Sequence, residues 1–184
     1  MFEVTDLQND PILNYLSNIA KMKKGFGKKS ELKYVGIEDL VLQHGIHCKP
    51  FTFPANYERG KLKECYNNAL DLALAHPNLT YVEGYAMGVI PTPHAWCVDS
   101  QLNVYDPTWK ADYGQRYFGI PFKTRFVLDT VMAKGTYGVL ENWEQKFPLL
   151  TGEIDIEKVK SKRKAFRTSQ TLSSQSASGS LPSE

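Results

Sequence analysis

The chain has 184 residues, 42% of them hydrophobic, which suits one ordinary globular domain. The net charge of +2 is unevenly placed: residues 158–184 hold six of the 22 lysines and arginines and a single acid, so residues 1–157 carry a net charge of −3, which argues against a nucleic-acid-binding face. No run reaches the roughly 18 apolar residues of a membrane span, the opening "MFEVTDLQND" lacks a secretory plan, and Cys48, Cys65 and Cys97 are too few and scattered for a disulfide framework; a cytoplasmic protein without a membrane partner is expected.

In chain order, Asp10-Pro11 reads as an N-cap and first-turn pair ahead of Ile12, Leu13, Leu16, Ile19 and Ala20 at helical spacing. A shorter helix over "IEDLVLQH" should end at Gly45 in a left-handed cap. In "GKLKECYNNALDLALAHPN", Leu62, Cys65, Ala69, Leu72 and Ala73 recur at three and four residues until Pro77 stops the pattern, placing Cys65 in the first turn of a helix. "YVEGYAM", "HAWCV" and "NVYDP" then predict an antiparallel meander, "YFGIPF" a further strand, "TRFVLDTVMAK" a helix and "YGVLENW" an element of undecided type. The class is α+β. Residues 1–157 read as a single domain. Residues 158–184 read as a basic and then Ser-rich tail, disordered beyond about Phe166, whose basic part is a solvated end or a contact for an acidic partner.

Within the meander, His94 and Asp106 are both costly to bury. In a hairpin with an odd number of loop residues they share a face: directly opposed for a three-residue loop centred on Ser100, diagonal for a loop centred on Gln101. A two-residue loop would put them on opposite faces, but "DSQLN" lacks the Asn-Gly or Asp-Gly pair of such loops. The same face would receive Trp96 and Val104 as apolar shelter, and Cys97 would point the other way. A thiol at a helix start is favoured as the anion; an imidazole can take its proton, and a carboxylate on the other ring nitrogen holds the tautomer, which is triad logic. The Cys65 backbone N–H offers one oxyanion donor, with Gln43, Asn56 or Tyr57 as candidates for a second. "HGIHC" holds His44, His47 and Cys48, but Gly45 and Pro50 break the helix that would align them on a zinc ion. Trp96 and Trp109 read as core or pocket wall. Gly84 reads as a bulge or a close backbone approach.

"CYNNA" at 65–69, "YVEGYA" at 81–86, "HAW" at 94–96 and "DPTW" at 106–109, in that order, resemble the transglutaminase-like branch of the papain-like cysteine hydrolases. The resemblance covers about residues 60–110. It implies a core in which N-terminal helices, with the nucleophile at a helix start, pack on an antiparallel meander, with Cys65 as nucleophile, His94 as base and Asp106 as orienting carboxylate. The activity implied is hydrolysis or acyl transfer on an amide or ester of a peptide, protein or small amide, through a Cys65 thioester. No calcium-site cluster is present, so neither metal nor cofactor is expected. The alternative is a non-catalytic protein-binding module on the same fold.

Overall fold

In the computed structural model, which describes residues 9–26, 32–110 and 113–161, Asp10 caps the first helix as its position predicts: Oδ1 accepts the backbone N–H groups of Ile12 and Leu13 at 2.8 and 3.0 Å. This helix, α1, runs Pro11–Phe26 and is followed by α2, Ile37–His44. Gly45 ends α2 but is not left-handed; at φ −72° and ψ 161° it is extended. Glycine is needed there for a different reason, since a Cβ would lie 2.6 Å from both the Phe118 ring and the Val41 carbonyl oxygen.

The extended exit from α2 leads into β1, Ile46–Cys48, a strand too short to leave a period in the sequence. Helix α3, Cys65–Ala75, begins at the cysteine itself. Leu62 lies outside it and is 78% exposed, because Lys63 adopts a left-handed φ of 69° that breaks helical continuity. Strands β2 (Thr80–Met87), β3 (Pro91–Val98), β4 (Val104–Tyr105) and β5 (Arg116–Pro121) follow, then α4, Thr124–Lys134. The sheet is antiparallel, in the order β1-β5-β2-β3-β4. Only β2, β3 and β4 form the expected meander; β5 returns to the far side of β2.

One sheet face, with Tyr81, Tyr85, Ala95, Cys97, Phe118 and Ile120, joins a core with Leu13, Leu16, Leu40, Val41, Ala69 and Leu72 of the helices. The other gathers Val82, Ala86, Trp96, Val98, Val104, Tyr117 and Cys48. Gly84 marks a close approach and not a bulge: β2 pairs without interruption on both sides, and a Cβ at Gly84 would lie 2.4 Å from Gly119 Cα.

Residues 137–143 form neither helix nor strand. They are pinned by buried Glu83, which accepts the N–H groups of Val139 and Leu140 at 2.7 and 2.9 Å and the Tyr81 hydroxyl at 2.9 Å. Short helices α5 (Pro148–Thr151) and α6 (Ile156–Val159) close the described chain. Residues 158–161, read from composition as the start of the tail, lie along the end of β5: Lys123 N–H donates to Val159 O at 3.0 Å and Ser161 N–H to Pro121 O at 2.8 Å. The expected disorder beyond Phe166 falls outside the described residues. No helix among the described residues is long and apolar enough to cross a membrane.

Candidate active site

The β3–β4 hairpin fixes the relation of His94 to Asp106. Cys97 pairs with Tyr105 and Val98 with Val104, leaving a five-residue loop, 99–103, centred on Gln101. Asp99 builds that loop: Oδ1 accepts the N–H groups of Gln101 and Asn103 at 2.8 and 3.0 Å, and Oδ2 accepts the Asn103 amide at 2.8 Å. The odd loop gives the diagonal arrangement, and His94 Nε2 bonds Asp106 Oδ2 at 2.8 Å. Both residues are buried, at 1% and 5% exposure.

Asp106 lies one residue beyond β4 and also organises the turn that follows. Its Oδ1 accepts the N–H groups of Thr108 and Trp109, both at 2.9 Å, while Oδ2 accepts the Tyr117 hydroxyl at 2.9 Å as well as the imidazole. Burial pushes its carboxyl upward, but the His94 hydrogen bond and charge, then the two backbone N–H donors, outweigh it and hold the group below its ordinary value. For His94 burial opposes the charged form, and hydrogen bonds and charge from Asp106 and Cys65 together raise the imidazole above its ordinary value. Burial first, and then the charge of Asp106, keep Tyr117 a neutral phenol, a donor to the carboxylate. Trp109 stacks on the imidazole at 4.1 Å between centroids, and Trp96 lies beyond at 6.2 Å.

Cys65, partly exposed at the first residue of α3, lies close enough to His94 for its charge to favour the imidazolium. Asp106 occupies Nε2, so Nδ1 is the ring nitrogen left for the thiol. The helix start is strapped to the segment that carries Asp106: Gly60 N–H donates to Pro107 O at 2.9 Å, Asn68 Nδ2 to Thr108 Oγ1 at 2.9 Å, and Arg59 Nη1 to Trp109 O at 2.7 Å. Cys97 lies on the opposite sheet face, where its Sγ donates to Ala69 O at 3.1 Å; burial and then the charge of Asp106 raise its thiol well above the ordinary value. Cys48 is buried in the cluster around Trp96.

The structure thus brings Cys65, His94 and Asp106 together, while the oxyanion candidates go elsewhere. Gln43 donates to Asp39 within α2 at 2.9 Å. Tyr57 packs on His76, the C-cap of α3, about 16 Å along the helix from Cys65, and Asn56 shares a cleft with His76 and Pro107. The "HGIHC" side chains are also engaged separately: His44 Nε2 bonds the Tyr34 hydroxyl at 2.8 Å, and the His47 ring packs on Phe118. Sequence reasoning missed Tyr117 and the Arg59–Asn68–Thr108 clamp, which join segments far apart in the chain. Two grooves flank the helix start. One, of about 500 Å³, is lined by Leu62, Lys63, Thr108, Trp109, Lys110 and Tyr113; the other, of about 270 Å³, has Tyr66, Glu83, Tyr137, Gly138, Glu141 and Trp143 among its walls.

No family model, curated protein or solved structure matches the chain.

Proposed function

We propose that the protein is a cysteine hydrolase or acyl transferase with a papain-like, transglutaminase-like core, acting on an amide or ester of a peptide, protein or small amide. The observation that carries the reading is the His94–Asp106 hydrogen bond at 2.8 Å, beside a Cys65 whose charge helps to raise the imidazole. His94 takes the thiol proton and Cys65 Sγ attacks the carbonyl carbon. The tetrahedral intermediate collapses with loss of the amine or alcohol, which leaves with the proton from His94. Water or a second amine, deprotonated by His94, then attacks the Cys65 thioester, the C–S bond breaks and the thiol is restored. Asp106 holds the tautomer and stabilises the imidazolium, and Trp109 keeps water off one ring face. The N–H groups of the first turn of α3 have no intrahelical acceptor and supply oxyanion stabilisation at Cys65.

The test is incubation of the full chain with 4-nitrophenyl acetate followed by rapid acid quench and peptide mass spectrometry. The reading expects an acetyl group on Cys65 that disappears on standing and is absent in His94→Gln. Acetylation spread over lysines with none on Cys65 would leave the chain as a binding module on this fold.

A further inference from the structure

A groove lies on the Tyr66 side of the helix start. It is lined by the aromatic side chains of Tyr66, Tyr137 and Trp143 together with Glu83, Glu141 and Glu144. Trp143 and Tyr137 are 68% and 49% exposed, large rings held at the surface without a core to fill.

The carboxylates differ in what they already do. Glu83 is consumed by Val139, Leu140 and Tyr81. Glu144 accepts the Thr136 hydroxyl on Oε1 at 3.0 Å, but its Oε2 is buried with no hydrogen-bond partner, and a desolvated anionic oxygen is costly unless a donor or cation meets it. The Glu141 carboxylate forms no hydrogen bond or ion pair with the described residues, although Lys134 Nζ donates to the Glu141 backbone carbonyl at 3.3 Å. Gly138, at φ +89°, lets the loop pass close over the sheet, where an added Cβ would be 3.4 Å from both Glu83 Oε1 and Tyr66 Cδ1. Tyr66 follows Cys65 directly in α3, which puts the groove next to the nucleophile; its phenol is raised by burial and then by the charges of Glu83, Cys65 and Glu141.

Resting on the nucleophile assignment above, we propose that this groove is a subsite for an alkylammonium group of the substrate. Carboxylate oxygens meet its N–H donors and aromatic faces meet its positive charge and methylene stem. Among the described residues no three carboxylates, imidazoles or thiols are grouped so as to hold a metal ion, and about 270 Å³ suits a short amine chain or a lysine side chain.

Charge-selective thiol reagents test this on the full chain. Cys65 is modified with neutral methyl methanethiosulfonate, its cationic 2-aminoethyl analogue and its anionic 2-sulfonatoethyl analogue, and the cationic-to-anionic rate ratio is divided by that of the urea-unfolded chain. The subsite predicts a normalised ratio of roughly tenfold, falling to about one in Glu141→Gln/Glu144→Gln, with each rate divided by that of the neutral reagent on the same chain. A ratio of one in the native chain, or a ratio the double substitution does not move, overturns the subsite. Preferential labelling of Cys48 or Cys97 by the neutral reagent instead removes the nucleophile, and the subsite's meaning with it. A second arm adds n-butylammonium to turnover of 4-nitrophenyl acetate: N-butylacetamide formed faster than with His94→Gln marks the amine, its proton taken by His94, as the acyl acceptor, slower acetate release without that amide places it on the donor, and no effect contradicts the subsite.

Discussion

Trp109 lies flat on His94, with ring centroids 4.1 Å apart and planes 20° apart, while its own backbone N–H donates to Asp106 Oδ1 at 2.9 Å. One residue therefore covers the base and holds the carboxylate that orients it. Because Arg59 binds the Trp109 carbonyl and Gly60 binds Pro107, the approach to α3 is fixed to the same segment. Positioning of thiol, imidazole and carboxylate is one structural problem with one solution.

Asp106→Asn should fold, because the retained side-chain oxygen can still accept from Thr108 and Trp109, yet its amide would present N–H groups to His94 and Tyr117, both donors to the carboxylate. Loss of the imidazolium's partner is expected to lower turnover by about 10⁴-fold, the scale seen for the same exchange in a serine triad. Circular dichroism close to the unsubstituted chain with activity within tenfold would show that the hydrogen bond is only structural.

The His94–Asp106 pair also sets a pH window for stability. His94 is raised above 6.5, so its contribution is complete below pH 6.5 and is lost as pH rises through the folded value. Asp106 is lowered below 3.8, so its contribution is complete above pH 3.8 and is lost as pH falls through the folded value. Together they favour the native state most between those limits. Thermal melts of the chain and of His94→Gln across pH 3–10 should show both flanks shallower in the variant. Parallel curves would mean that the pair titrates identically in the folded and unfolded chains.

Gly84→Ala tests the sheet beneath the site. The added Cβ meets Gly119 Cα at 2.4 Å and Phe118 O at 2.5 Å, backbone atoms of a central strand that cannot rotate away. A loss of about 3 kcal/mol is expected in urea unfolding. A change below about 0.5 kcal/mol would mean that β2 and β5 separate without cost.

How much of this the sequence revealed depends on the range of each interaction. The α1 cap, the span of α4, the opposite faces of His94 and Cys97, and the odd length of the hairpin loop are local, so spacing and turn chemistry exposed them; the choice of Gln101 over Ser100 as its centre came from the strand register. The break at Lys63 was hidden because lysine carries no signal for positive φ, and Leu62 was therefore counted into the helix. Tyr117 reaches Asp106 from β5, which lies beyond β2 and β3 in the sheet; no spacing along the chain encodes that meeting. The role of residues 137–143 was equally hidden, since buried Glu83 fixes them across more than fifty residues.

The most direct measurement is competitive alkylation of the three thiols by limiting iodoacetamide at pH 6.5 in the folded chain, read by peptide mass spectrometry. Cys97 is fully buried with its thiol raised by that burial, Cys48 is 5% exposed, and Cys65 alone combines partial access with a place beside the imidazole that its charge helps to raise. The account predicts that Cys65 is modified first and that its rate falls at least tenfold in His94→Gln. Modification of Cys48 or Cys97 ahead of Cys65, or a Cys65 rate indifferent to His94, would contradict it.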